Sequence, residues 1–355
     1  MSKFKEKHLR PGRKIFDQFV IAAVISVIVM FISIIIFPVG KLIEVPFSYI
    51  FGGDADVVDF AKEYFDFISI WIGVFLVVLI FRSNRAMLKG VKYYNPFASK
   101  NTSSVNGNRP GNSFIGLLIG LALGFGTNGF CILMSVLLGD VKIVFNSFHF
   151  VSFIVIFISV FIQSAAEELL DRWYLYQKLR RRYKSPWIAI IVNSFVFMSM
   201  HIFNPGITIL ACIQIFVVGF LFSLFIYYYN GLWIAMAFHA GWNFTQSILF
   251  GLPNSGIVSA YSVFKLDAAP ARNGFFYDVN FGVEGSLGAV LLLIALCILI
   301  MVVNRGKKEH TDLWSAADVA AIEKAEAKKA AALESSNSES AEGEKAAESE
   351  SDNEA

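Results

Sequence analysis

Eight long apolar stretches recur along this chain, at residues 15–37, 65–81, 113–138, 149–176, 187–203, 207–229, 231–250 and 285–303. A helix needs about 20 apolar residues to cross the hydrocarbon layer, and core strands are far shorter, so the pattern predicts transmembrane helices. The expected fold class is all-α, a polytopic membrane helix bundle of about eight transmembrane helices. Five regions follow: a cytoplasmic N-terminus (1–14), three helices with their connections (15–148), the helices that carry buried charge (149–250), an external loop with the last helix (251–303), and an acidic Ala/Glu/Ser-rich cytoplasmic tail, largely disordered (304–355). Basic residues precede the first stretch, as in a signal peptide. It is too long for a typical apolar signal core and no small-x-small cleavage site follows, so it reads as a retained helix.

The connecting segments sort by charge. Lys3, Lys5, Lys7, Arg10, Arg13 and Lys14 precede the first stretch, and Arg82, Arg85, Lys89, Lys92, Lys100 and Arg109 lie between the second and third. Lys178, Arg180, Arg181, Arg182 and Lys184 follow the fourth, and Arg305, Lys307 and Lys308 the last. The alternate connections are poor in base, and the first holds Asp54, Asp56 and Asp59. With eight crossings every basic cluster falls on one side, which predicts cytoplasmic N- and C-termini in an integral protein of a bacterial cell membrane.

Composition agrees: 56% of residues are hydrophobic and 16% charged, which excludes a soluble enzyme. The formal charge of +2 conceals a split, because residues 309–355 hold thirteen acids and four bases and the rest of the chain is +11. The tail reads as a solubilising segment, helical in its first half, with a regulatory or partner-binding role as the alternative. Segment 99–112 reads as a mobile linker. Gly116, Gly120 and Gly124 recur every fourth residue and predict close approach of a neighbouring helix. Cys131, Cys212 and Cys297 lie in apolar segments and read as small core residues.

Two adjacent glutamates, Glu167 and Glu168, stand in the middle of the fourth stretch, followed by Asp171 and Arg172. A charge in the hydrocarbon layer costs at least a few kcal/mol, so such residues are functional by default. Glu168 and Arg172 are four apart and pair on one face, while Glu167 lies about 100° round the helix. Arg172 favours the charged form of Glu168, which makes Glu167 the better general base and Glu168–Arg172 its support. The alternative, charges meeting headgroups at a helix end, conflicts with the basic run at 178–184, roughly 16 Å beyond Glu167 by helical rise. Phe197 and His201 share a face on the fifth stretch, with His201 about 20 Å from the same side. His239 and Asn243 share a face on the seventh. Both donate hydrogen bonds, which suits a developing oxyanion and equally suits interhelical adhesion. A buried carboxylate with two histidines and an amide is the equipment for activating water.

These residues form three motifs: EELLDR from Glu167 to Arg172, FMSMH from Phe197 to His201, and HAGWN from His239 to Asn243. In that order and without substitution they resemble the EExxxR, FxxxH and HxxxN signature of the CAAX-processing and bacteriocin-processing (CPBP, or Abi) family of intramembrane proteases, over about 150–250. The resemblance implies that Glu167 activates the attacking water with help from His201, that His239 and Asn243 stabilise the tetrahedral intermediate, and that Glu168 and Arg172, with Phe197, support them. It implies a helical bundle with a cavity open to the cytoplasm. The substrate would be a peptide or membrane protein cut near its C-terminus or juxtamembrane segment, with the lipid bilayer as the other partner and no nucleic acid. Members have been described as metalloproteases, and Glu167, His201 and His239 supply three ligands if zinc is present. The chain has no HExxH pair, and glutamate-activated water without a cofactor is the favoured reading. A membrane scaffold or bacteriocin self-immunity protein is the alternative. A transporter is disfavoured by the absence of an internal repeat.

Overall fold

The computed structural model describes residues 18–36, 38–51, 54–81, 84, 87, 88, 91, 92 and 111–306, with Lys324, Ala327 and Ala331. The predicted N-terminal segment 1–14, most of the 99–112 linker and the tail beyond Gly306 other than those three residues, which are helical, lie outside the described residues.

The chain folds as an all-α membrane bundle. Helix α1 (Phe19–Ile36) is followed by a pair, α2 (Gly40–Ile50) and α3 (Ala55–Asp66), and then by α4 (Ile68–Ile80) and α5 (Phe114–Leu137). Helix α6 (Phe150–Glu168) continues through a π-helical stretch, Leu169–Leu175, into α7 (Tyr176–Arg182). Helices α8 (Pro186–Ser199), α9 (Ile209–Tyr229) and α10 (Leu232–Asn243) come next, α10 running on as a second π-helical stretch, Phe244–Leu249. Strands β1 (Lys142–Phe145) and β2 (Phe264–Asp267) pair antiparallel, and α11 (Leu287–Val303) closes the bundle. Among the described residues, five helices are long and apolar enough to cross a membrane: Phe19–Ile36, Val57–Ile80, Phe114–Leu137, Phe150–Arg182 and Ile209–Tyr229. Pro186–Ser199 and Leu287–Val303 are apolar but shorter.

Three departures from the hydropathy pattern have local causes. The second predicted helix begins near 57 rather than 65, because Asp54 caps α3 by accepting from the Val57 amide at 3.2 Å, and Lys62 pairs with Asp59 at 2.7 Å and Glu44 at 3.6 Å. Acids at a helix N-terminus also complement its dipole. The fifth helix stops at Ser199 and not at 203. The following turn contains Pro205 and Gly206, with φ 72° at Gly206, so His201 stands in a turn beyond the helix. The predicted external loop 251–284 is built into the fold: β2 pairs with β1, and Tyr277 and Phe281 are buried.

Short connections force neighbouring helices to run antiparallel, and side-chain contacts fix their ends. At one end Asn112 Oδ1 accepts from the Leu232 and Trp233 amides (2.8 and 3.1 Å), capping α10 from a distant segment. There too Asn304 donates to the Tyr229 hydroxyl at 2.7 Å, and Lys178 to Asn84 Oδ1 at 3.2 Å. Arg180–Lys184 and Arg305 belong to this end. The β1–β2 ribbon, the 200–208 turn and the 251–286 segment form the opposite end, where Arg272 holds Asp140 at 3.1 Å.

Helix α10 lies in the middle of the bundle, against α5 and α6. The glycine stripe of α5 makes this possible at two of its three positions. A Cβ on Gly120 would collide with the Ile234 carbonyl, and one on Gly124 with the Phe238 carbonyl and, at 2.9 Å, the Trp242 amide. A Cβ on Gly116 meets the Ser113 hydroxyl at 3.2 Å, so the helices part towards that end. Gly124→Ala should cost about 1–3 kcal/mol through overpacking. Gly126→Ala, with nothing within 4 Å, should stay within about 0.5 kcal/mol of wild type. Thermal unfolding in detergent checks the pair, and equal midpoints would contradict the close approach.

Candidate active site

The site grows from the junction of α6 with its π-helical continuation. Glu168, Asp171 and Arg172 are all fully buried there. Arg172 Nη1 donates to Glu168 Oε1 at 3.1 Å. The guanidinium carbon lies 4.0 Å from the Phe197 ring centroid and 5.2 Å from that of Phe222, so two aromatic faces accompany the charge. Gly219 leaves it room, since a Cβ would come within 3.0 Å of Arg172 Nη2. Asp171 Oδ2 is 4.0 Å from Arg172 Nη1, and among the described residues neither of its oxygens finds a hydrogen-bond donor.

The same Glu168 oxygen accepts from His239 Nδ1 at 2.9 Å. With Nδ1 donating to a carboxylate, the lone pair of His239 is on Nε2. Nε2 stands 3.9 Å from Glu167 Oε2. The imidazole is fixed in plane by Phe222, stacked at 5.4 Å, and by the edge of Phe197 at 5.9 Å. Glu167 is partly buried. Its Oε1 accepts from Gln163 Nε2, and among the described residues Oε2 has no hydrogen-bond partner. Asn243 Nδ2 donates to Gln163 Oε1 and to the Ser164 hydroxyl, both at 3.3 Å. Glu167 and Asn243 therefore meet through Gln163.

His201 is held differently. Its Nδ1 bonds the Phe197 carbonyl at 2.8 Å, one helical turn back, and its ring lies 4.9 Å from the Phe197 ring. This leaves Nε2 for a small cavity lined by His201, His239, Asn243, Trp242, Ser255 and Glu284, among others. About 20 Å³ of it admits water centres, room for about one molecule. The neighbour of Glu167 is thus His239, while His201 lines the small cavity with His239 and Asn243. Among the described residues, no three His, Cys, Asp or Glu side chains gather as a metal-binding set. Glu167, His201 and His239 do not form such a set.

Four contributors carry no weight in the sequence motifs. Gln163 and Ser164 sit one turn before Glu167 and Glu168, where helical spacing alone would have placed them on the motif face. Glu284 and Ser255 come from the segment between α10 and α11, and only the folded chain brings them here. Burial pushes the Glu284 carboxyl above its ordinary range, and its hydrogen bonds to Ser255 and Trp242 pull the other way. A second, apolar cavity of about 400 Å³ lies towards the basic end, between α5, α9, α10 and α11. Leu221 and Phe238 wall it off from Phe222 and His239, their chain neighbours.

The adjacent glutamates should separate in their effect on stability. Glu168→Ala strands a buried guanidinium, at about 3–5 kcal/mol. Glu167→Gln disturbs one hydrogen bond, at about 1 kcal/mol or less. Thermal unfolding of both purified variants in detergent measures the difference, and equal losses would contradict the division of roles.

Residues 149–245 match a protein-family model described as Rce1-like, type II CAAX prenyl endopeptidase. Neither a curated protein nor a solved structure matches the chain. The matched segment spans all three motifs, from Glu167 to Asn243, so the similarity falls on the residues that carry the resemblance to the CAAX-processing and bacteriocin-processing family.

Proposed function

We propose that this protein is an intramembrane endopeptidase that hydrolyses a peptide bond near the C-terminus or in the juxtamembrane segment of a peptide or membrane protein. The observation that carries this reading is the division between the two glutamates. Among the described residues each glutamate has one oxygen, Oε2, without a hydrogen-bond partner. Glu168 Oε1, however, is taken up by two cationic or imidazole donors, Arg172 and His239, while Glu167 has only the Gln163 amide and sets its Oε2 3.9 Å from the His239 Nε2 lone pair. In the proposed reaction Glu167 takes a proton from water as the water oxygen bonds to the scissile carbonyl carbon. The resulting oxyanion forms in the cavity that Asn243 and His201 face. The C–N bond then breaks, and the proton passes from Glu167, with His239 Nε2 beside it, to the leaving amine. Phe197 acts through others, as the platform for Arg172 and both imidazoles.

The apolar cavity behind Leu221 and Phe238, one residue along the chain from Phe222 and His239, supports a substrate whose end carries bulky apolar groups, in keeping with the prenyl substrates in the family description, once those two side chains swing aside. We place both termini in the cytoplasm, because Arg180–Lys184 and Arg305 share one end of the bundle.

Peptide termini in host membranes and medium, compared between wild type, Glu167→Gln and His239→Ala at matched protein levels, test the reading. Cleaved termini should fall at least about 100-fold in both variants, the lower range for loss of general acid–base catalysis. Unchanged termini, with a deletion phenotype still rescued by Glu167→Gln, would replace it with a non-catalytic scaffold or self-immunity role.

A further inference from the structure

Glu284 lies beyond the family-matched segment, in the short turn before α11, yet it lines the same cavity as His201, His239 and Asn243. Its carboxylate is buried and occupied at both oxygens. Oε1 accepts from the Trp242 indole N–H at 3.2 Å, and Oε2 from the Ser255 amide at 2.6 Å and hydroxyl at 3.2 Å. Trp242 immediately precedes Asn243 on α10. Ser255 has φ 49° and sits in a turn closed by paired backbone bonds between Asn254 and Ile257, both 2.9 Å. Asn254 in turn donates to the Asn243 carbonyl at 3.4 Å.

Every protein group bonded to Glu284 is thus a donor. A side chain that only accepts answers all three, whereas an amide would turn its own N–H towards one of them. Burying a carboxylate is costly unless donors surround it, and closing a surface turn requires no such group. The placement matters because this turn walls the cavity at the end opposite to Arg180–Lys184. Among the described residues, His201 and Tyr64 of α3 lie within electrostatic reach of Glu284.

We propose that Glu284 is a positioning residue of the active site: it clamps the 251–257 turn to Trp242, which holds Asn243 and the cavity wall in register, and it presents negative charge to His201. The catalytic half of this proposal rests on the peptidase reading; the clamp does not.

Hydrogen exchange and kinetics on the full-length protein in detergent test both halves. The variants are Glu284→Gln and Glu284→Ala, and the probe is a quenched-fluorescent prenylated CAAX peptide. Loss of the Ser255 amide bond should speed exchange of segment 251–258 about tenfold, with α6 exchange unchanged as the control for folding. The kcat should fall about 100-fold, the scale of a small misplacement in a catalytic site, while KM moves less than about threefold. Unchanged exchange overturns the clamp, and kcat within about twofold of wild type overturns the positioning role. If wild type itself shows no Glu167-dependent cleavage of the peptide, the peptidase reading fails on that probe and exchange alone decides the clamp.

Discussion

One carboxylate oxygen, Glu168 Oε1, receives two donors from two helices: the Arg172 guanidinium at 3.1 Å and His239 Nδ1 at 2.9 Å. Neither partner is tenable without it. Arg172 is fully buried, and an unpaired charge in that setting costs several kcal/mol. The arrangement around it serves the same end, with two aromatic faces on the guanidinium and a glycine at 219 that leaves it space. Because the acceptor sits on α6 and the imidazole on α10, the contact also joins the first and third motifs. Phe197 of the second motif packs against both.

The chemistry follows from this contact through helical geometry. Adjacent residues point about 100° apart, so fixing Glu168 inward on Arg172 and His239 aims Glu167 past them towards Nε2 of the same ring. One glutamate sets the tautomer and the other meets the lone pair. The helices of the first and third motifs pass into π-helical turns, the one directly after Glu168 and so within its motif, the other directly after Asn243. Such turns recur at functional sites, where they reset the phase of the side chains that follow. Here the reset lets α6 present Arg172 to the core while α7 carries its basic run to the bundle's end.

Much of this was legible in the sequence. Hydropathy located the long apolar helices, since a bilayer demands such runs whatever the tertiary contacts, but not the more polar α2–α3 pair between residues 40 and 66. The spacing of four between Glu168 and Arg172 or His239 and Asn243 identified shared faces. What periodicity does not encode is partnership across helices. It paired Glu167 with His201 by depth, and the folded chain sets His239 beside it instead, because α8 ends at Ser199 and leaves His201 in a turn. Depth along a helix also says nothing of loops that return to the core. Segment 251–284 has no long apolar run, so its buried Glu284 was indistinguishable from a surface acid. Two residues of the glycine stripe serve the predicted close approach, and the third lies where the helices have separated.

The most direct test is the protonation of His239 in the folded protein. With five histidines in the chain, nitrogen NMR of a sample labelled in histidine, assigned by single replacements, resolves each ring. The expected result is a His239 proton on Nδ1, held by Glu168, with Nε2 unprotonated, and a loss of that preference in Glu168→Ala. A neutral His239 protonated on Nε2, with no response to Glu168, would contradict it.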